Sequence, residues 1–319
     1  MNVGVSKNLI ITLIKDTLES ELVDLGGFSH ANLLLDANNN IDIASKFVIF
    51  NNNNEMIAFL FCGYSRIRSV CSRNLKNNVE IKMKLGDELG AVLLTPIVSG
   101  DIEGIEYSVW PYCNPLGSDL GFIRRKIQLF QYRPLVLNWL RNVNEYSISS
   151  ASEQEKIDDF VHPLQRLMGN KSISMRIKDE IEWQISCVET RSWTPYFVLA
   201  HNDLWEGNLL VNKYNVKNIY HGLTVIDWAG GNYRSFAIYD LVRISISLKV
   251  SRTVFSDELL AHCAILHCDK RNAMGYLLAS FAFLAENLDQ FPEDRFIQLL
   301  NDCFIFLDER VCNMKDRRR

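Results

Sequence analysis

His201-Asn202-Asp203-Leu204-Trp205-Glu206-Gly207-Asn208 sets a carboxylate and an amide five residues apart in a polar stretch. Phe197-Val198-Leu199 precedes it and Leu209-Leu210-Val211 follows, so the octapeptide reads as a loop leaving an apolar segment. A second acid, Asp227, ends the apolar run Leu223-Thr224-Val225-Ile226 and is followed by Trp228. Phosphoryl transfer needs one carboxylate to orient a hydroxyl nucleophile and two oxygen ligands to hold Mg²⁺ against a triphosphate. Asp203 suits the first role: it can accept the hydrogen bond of an alcohol and take its proton late in the transfer. Asn208 is a neutral oxygen ligand and Asp227 a charged one, aimed by a strand-like approach.

Outward from this loop, the first third of the chain reads as mainly β with one helix. Lys46-Phe47-Val48-Ile49-Phe50 and Met56-Ile57-Ala58-Phe59-Leu60-Phe61 flank Asn51 to Asn54, which predicts a hairpin. Asn38-Asn39-Asn40 predicts another turn. Gly26-Gly27 is either a phosphate-covering turn or an ordinary one. Residues 74–89 read as a helix with Leu75, Val79 and Met83, joined by Leu85 and Leu89, marking one face. The β-prone run 105–110 leads to Pro111, Pro115 and Gly117, a hinge between two lobes, 1–112 and 113–319. The second lobe reads as helical over 122–143, 153–168, 177–188, 256–266, 273–288 and 296–311. Ile123, Ile127, Phe130, Val136, Leu137 and Leu140 fall at roughly helical spacing, and Ser256 is a candidate N-cap.

Composition narrows the classes. The 319 residues are 48% hydrophobic and 23% charged with a net charge of −4, an ordinary globular balance that does not suit a broad nucleic-acid surface. Lys315-Asp316-Arg317-Arg318-Arg319 reads as a solvated basic tail. Eight cysteines without a C-x-x-C pair read as reduced thiols in a cytoplasmic protein. His262-Cys263 and His267-Cys268 read as packed helix residues rather than metal ligands. No signal peptide or membrane span is expected.

His201-Asn202-Asp203-Leu204 with Asn208, followed by Ile226-Asp227-Trp228, resembles the aminoglycoside phosphotransferase and choline/ethanolamine kinase group of the protein-kinase-like fold. The stretch from Asn232 to Phe236, ending in Tyr239-Asp240-Leu241, is similar to the segment after the metal-binding Asp in choline kinases. The resemblance spans roughly residues 20–250 and is strongest over about 197–245. It implies an α+β, two-lobed protein-kinase-like fold with a small β-rich N-terminal lobe and a larger helical C-terminal lobe. It also implies ATP and Mg²⁺ as cofactors and a small-molecule hydroxyl acceptor as partner. By that match Asp203 is the catalytic base, Asn208 and Asp227 are the metal ligands, and His201 and Asp240 support the loop. Glu80 falls where the family's helix Glu stands and should pair with a cation on the preceding strand. Residues 56–61 contain none, which leaves Lys46, Arg66 and Arg68 as candidates.

Three readings follow. The first is a small-molecule kinase acting on an amino alcohol, a sugar or an aminoglycoside-type antibiotic. The second is a catalytically weak nucleotide-binding scaffold, suggested by the missing strand Lys. The third is a protein kinase. It is disfavoured because only twelve residues separate Asp227 from Asp240 and no Ala-Pro-Glu follows. A choline-like acceptor would call for an aromatic cage, with Trp139, Trp183, Trp193, Trp205 and Trp228 as candidates, each of which core packing explains better.

Overall fold

The hairpin anticipated around Asn51 sets the register of the first sheet. In the computed structural model, β2 (Ser45–Phe50) pairs antiparallel with β3 (Met56–Tyr64), Phe47 opposite Leu60 and Lys46 opposite Phe61. Asn51 closes the turn, its Oδ1 accepting the N–H groups of Asn53 (3.0 Å) and Glu55 (2.9 Å). The structure describes residues 11–35, 45–64, 70–117, 121–212, 219–286, 288 and 291–312. The turn expected at Asn38 to Asn40, the cations Arg66 and Arg68, and the tail from Lys315 lie outside these residues.

The chain divides into two compact units, Met1–Pro115 with Leu210–Gly230, and Leu116–Leu209 with Gly231–Arg319. The return of Leu210–Gly230 to the first unit was not foreseen.

In the first unit, α1 (Lys15–Glu21) precedes β1 (His30–Leu35), and α2 (Val70–Leu89) follows β3. The antiparallel sheet runs β1-β2-β3-β5-β4, with β4 at Val98–Ile102 and β5 at Ile105–Pro111. Alternation puts Phe47, Ile49, Ala58, Leu60 and Val109 on one face, packed with Ile14, Leu18 and Leu22. The other face carries Lys46, Phe61 and Trp110; Phe61 and Trp110 cluster with Leu75, Leu210 and Ile226. The segment 210–230 joins here because β9 (Leu209–Val211) pairs with both β10 (Leu223–Val225) and β6 (Asn114–Pro115), while Val225 bridges Leu93.

The face assigned to α2 needs correction. Met83 is 71% exposed and Val79 is also exposed, whereas Asn78, Ile81 and Leu85 are buried. The helix turns a polar edge inward because Asn74 and Asn77 have backbone partners there, described below.

The second unit is mainly helical. Its sheet, ordered β11-β8-β7, has β8 (Tyr196–Ala200) between β7 (Ser149–Ser150) and β11 (Asn232–Ser235). Around it lie α3 (Phe122–Ser147), helical turns over 153–168, α4 (Met175–Glu189), α5 (Ile238–Ser247), α6 (Arg252–Ile265), α7 (Asn272–Ala285) and α8 (Glu293–Cys312). Helix α3 buries Val136, Leu137, Trp139, Leu140 and Val143, but its first turns stand in solvent. Ile123, Ile127 and Phe130, at the same helical spacing, are exposed, Phe130 by 75%. Helical spacing fixes that three residues share a face, not whether that face is covered. Ser256 lies inside α6; the cap is Ser251, whose Oγ accepts from Val254 N–H at 3.4 Å. Among the described residues, no helix is long and apolar enough to cross a membrane.

Candidate functional site

In the second unit, β8 delivers the chain to His201, and the loop beyond it is folded around one buried acid. Asp240, in the first turn of α5, has no exposed surface. It accepts the backbone N–H groups of His201 (2.6 Å), Asn202 (3.3 Å) and Leu204 (3.4 Å). Burial pushes its carboxyl up, while His201 and these backbone donors pull it down. Asn202 takes a left-handed backbone (φ 63°), which Asn tolerates, and its Oδ1 accepts from Ser235 Oγ at 2.9 Å. His201 is buried, and its Nδ1 accepts from Asp203 N–H at 3.3 Å. We expect Asp240→Ala to strand three backbone donors and cost about 3 kcal/mol or more. A denaturation midpoint unchanged from wild type would refute that.

The loop presents Asp203 half exposed and Asn208 buried beside it. Asn208 Nδ2 donates to Asp203 O (2.8 Å) and to Asp203 Oδ2 (3.3 Å). The amide N–H group is thereby spent on Asp203, which leaves the side-chain oxygen as the atom a cation would use. Gly207 lies under the exposed Trp205 ring, which a Cβ there would approach to 2.5 Å and push aside. Glu206 is tied down by Arg125 (2.8 Å), and its N–H donates to Ser247 Oγ (3.0 Å).

Arg243 was not anticipated. Its Nη2 lies 3.4 Å from Asp203 Oδ1. The available signal was its spacing: three residues after Asp240 on a helix, it lies on the same face as the acid that grips the loop.

In the first unit, Asp227 stands exposed just past β10, itself left-handed at φ 65°. The backbone directly after it is held by α2. Trp228 N–H donates to Asn74 Oδ1 (2.7 Å), and Asn77 Nδ2 donates to Trp228 O (3.0 Å) and Ala229 O (3.4 Å). Lys46, on β2, lays its ammonium over the rings of Phe59 (4.5 Å) and Phe61 (5.0 Å). Burial lowers the pKa of this ammonium, and the negative charge of Asp227 acts to raise it. Lys46 and Asp227 therefore face one another electrically, and a cation from β2 covers the part of β3 that lacks one.

Glu80 and the Gly26-Gly27 pair, both expected near the nucleotide, have these surroundings. Glu80 is half exposed and pairs with Lys76 at 3.9 Å, one turn back on α2, instead of with Lys46. Gly26 and Gly27, both at positive φ, end a short helical turn ahead of β1 and pack on the β2–β3 turn. Asn52 Nδ2 donates to Gly26 O (3.2 Å) and Asn51 Nδ2 to Leu25 O (3.3 Å).

Of the tryptophans, Trp139, Trp193 and Trp228 are buried, and Trp183 carries the Arg271 guanidinium on its ring. Trp205 is exposed within the loop. His262 is buried with its Nδ1 at Glu258 O (2.8 Å), and burial lowers its pKa to about 4. Among the described residues, no group of three His, Cys, Asp or Glu side chains could hold a metal by itself.

No family model matches the chain, and no curated protein sequence matches it. Solved structures do. Aminoglycoside phosphotransferase APH(4)-Ia, as a thermostable mutant with ADP and hygromycin B, superposes with a TM-score of 0.54 at 10% identity, over 91% of this chain and 98% of that one. A choline kinase from Streptococcus pneumoniae superposes with a TM-score of 0.52 at 13% identity, over 95% and 98%. The chain has the two-lobed, α+β protein-kinase-like fold shared by the aminoglycoside phosphotransferases and choline kinases.

Proposed function

We propose that the protein is an ATP- and Mg²⁺-dependent phosphotransferase whose acceptor is a hydroxyl of a small molecule: an amino alcohol, a sugar or an aminoglycoside-type antibiotic. In this reading Asp203 accepts the hydrogen bond of the acceptor hydroxyl, aims its oxygen and takes its proton late in the transfer. Asn208 and Asp227 are the Mg²⁺ ligands, a neutral oxygen and a carboxylate, which is the hard donor set that Mg²⁺ takes together with phosphate oxygens. Bound Mg²⁺ would offset negative charge on the transferring group. Lys46 supplies the cation toward the nucleotide phosphates, and His201 supports the loop. The observation that carries the reading is the state of Asn208: its N–H group is committed to the candidate base and its oxygen is left for a cation.

ADP in one structural neighbour supports a nucleotide as donor. The neighbours' acceptors range from hygromycin B to choline, so a broad panel is the appropriate test. Incubation with Mg²⁺, ATP and a panel of alcohols, sugars and aminoglycosides is expected to release ADP with at least one class. Binding of Mg²⁺·ATP without ADP release on any acceptor would favour the scaffold reading. Lys46 supports the enzyme over the scaffold, because it offers the positive charge that β3 lacks. Lys46→Met should raise the KM for ATP by about 10–100-fold, the worth of one charge-assisted contact to phosphate. An unchanged KM would remove Lys46 from the nucleotide site.

A further inference from the structure

Arg243 is a charged side chain close to the candidate base that the reading above leaves unused. Its side chain is 19% exposed, and its buried Nε has no hydrogen-bond partner. Burying a guanidinium is costly unless an anion answers it. The groups that face it are Tyr239 on its own helix, Cys303 on α8, and Asp203. Burial raises the tyrosine phenol and pushes the Cys303 thiol up to about 12, so both stay neutral. Asp203 is the anion matched to this charge.

The two oxygens of Asp203 are held from different directions. Arg243 approaches Oδ1 from α5 (3.4 Å), and Asn208 approaches Oδ2 from within the loop (3.3 Å). One tether to each oxygen fixes the plane of the carboxylate, and each oxygen carries two lone pairs. We propose that Arg243 is a positioning residue for phosphoryl transfer, fixing the plane of the Asp203 carboxylate so that one lone pair is always aimed at the acceptor hydroxyl. The inference rests on Asp203 as the base. Its energetic signature is asymmetric. Asp203 is half exposed, so water can replace Arg243 as its partner, and the pair adds little to stability. Orientation is different, because a carboxylate displaced by about 1 Å can cost about 100-fold in rate.

The test compares Arg243→Met, Arg243→Lys and Arg243→Ala on the acceptor that the panel returns and on the slow hydrolysis of ATP by water. Arg243→Met is expected to lower kcat about 10–100-fold, with both KM values and the melting temperature near wild type. Arg243→Lys should restore part of the loss, and millimolar guanidinium should partly rescue Arg243→Ala. A kcat for Arg243→Met within twofold of wild type overturns the proposal. So does a loss that neither Lys nor guanidinium relieves, since that marks a role in folding alone. Asp203→Asn, run alongside, separates the two levels. If it stays active, the base assignment fails and this proposal falls with it. If it is dead while Arg243→Met is unaffected, only the positioning role is lost.

Discussion

Asp203→Asn is expected to lower kcat by about 1,000-fold while Mg²⁺·ATP binds as in wild type. Asn has nearly the same shape as Asp, so the loop keeps its geometry. The backbone N–H groups of His201, Asn202 and Leu204 remain on Asp240, and none of those bonds involves the Asp203 side chain. What is removed is the negative charge and with it the ability to take a proton. The loss should therefore fall on kcat and leave nucleotide affinity alone. Single-turnover kinetics with calorimetric titration of Mg²⁺·ATP distinguishes the two. A kcat within tenfold of wild type would sink the base assignment, and a parallel collapse of nucleotide affinity would recast Asp203 as a binding residue.

Asp227→Asn should abolish the dependence of nucleotide affinity on Mg²⁺. Loss of a direct ligand exceeds the roughly 10–100-fold that an outer partner is worth to a metal site. Asn is the informative replacement because position 227 has φ 65°, a conformation that Asn adopts with little strain and most residues do not. The Asn74 and Asn77 contacts to Trp228 and Ala229 involve only backbone on the 227–229 side, so α2 should keep its grip. A second effect follows from Lys46. Asp227 supplies the charge that raises the pKa of Lys46 against its burial, so removing that charge also weakens the ammonium. Asp227→Asn and Lys46→Met should accordingly combine less than additively. Equal ATP affinity with and without Mg²⁺ in wild type, or strictly additive losses, would contradict this coupling.

The parts of the site legible from the chain were those fixed by local chemistry. Asp203, Asn208 and Asp227 stand out because polar residues interrupt apolar runs, and Asn51 marks its turn by side-chain bonds to its own neighbours. The parts that escaped depend on partners remote in sequence. The buried edge of α2 is set by backbone some 150 residues away at Trp228, so Val79 and Met83 of the expected stripe misled while Leu75 and Leu85 pack inward. Arg243 carries no signal until Asp240 is known to hold the loop. How close Lys46 lies to the cation-free strand β3 is likewise shown only by the register that sets it opposite Phe61. Gly26-Gly27 advertised a flexible turn, but only the Asn51 and Asn52 contacts show what that turn packs against.

The return of Leu210–Gly230 to the first unit bears on how the molecule is made. A ribosome has released the whole β1–β5 sheet long before β9 and β10 exist. Until then Trp110 and Leu75 lack Leu210 and Ile226, and the α2 amides lack the peptide groups of Trp228. The N-terminal unit thus waits, with apolar surface open, for nearly a hundred further residues to be translated, an interval in which nascent chains are prone to mispair. A fragment ending at Pro115 would be caught permanently in that waiting state.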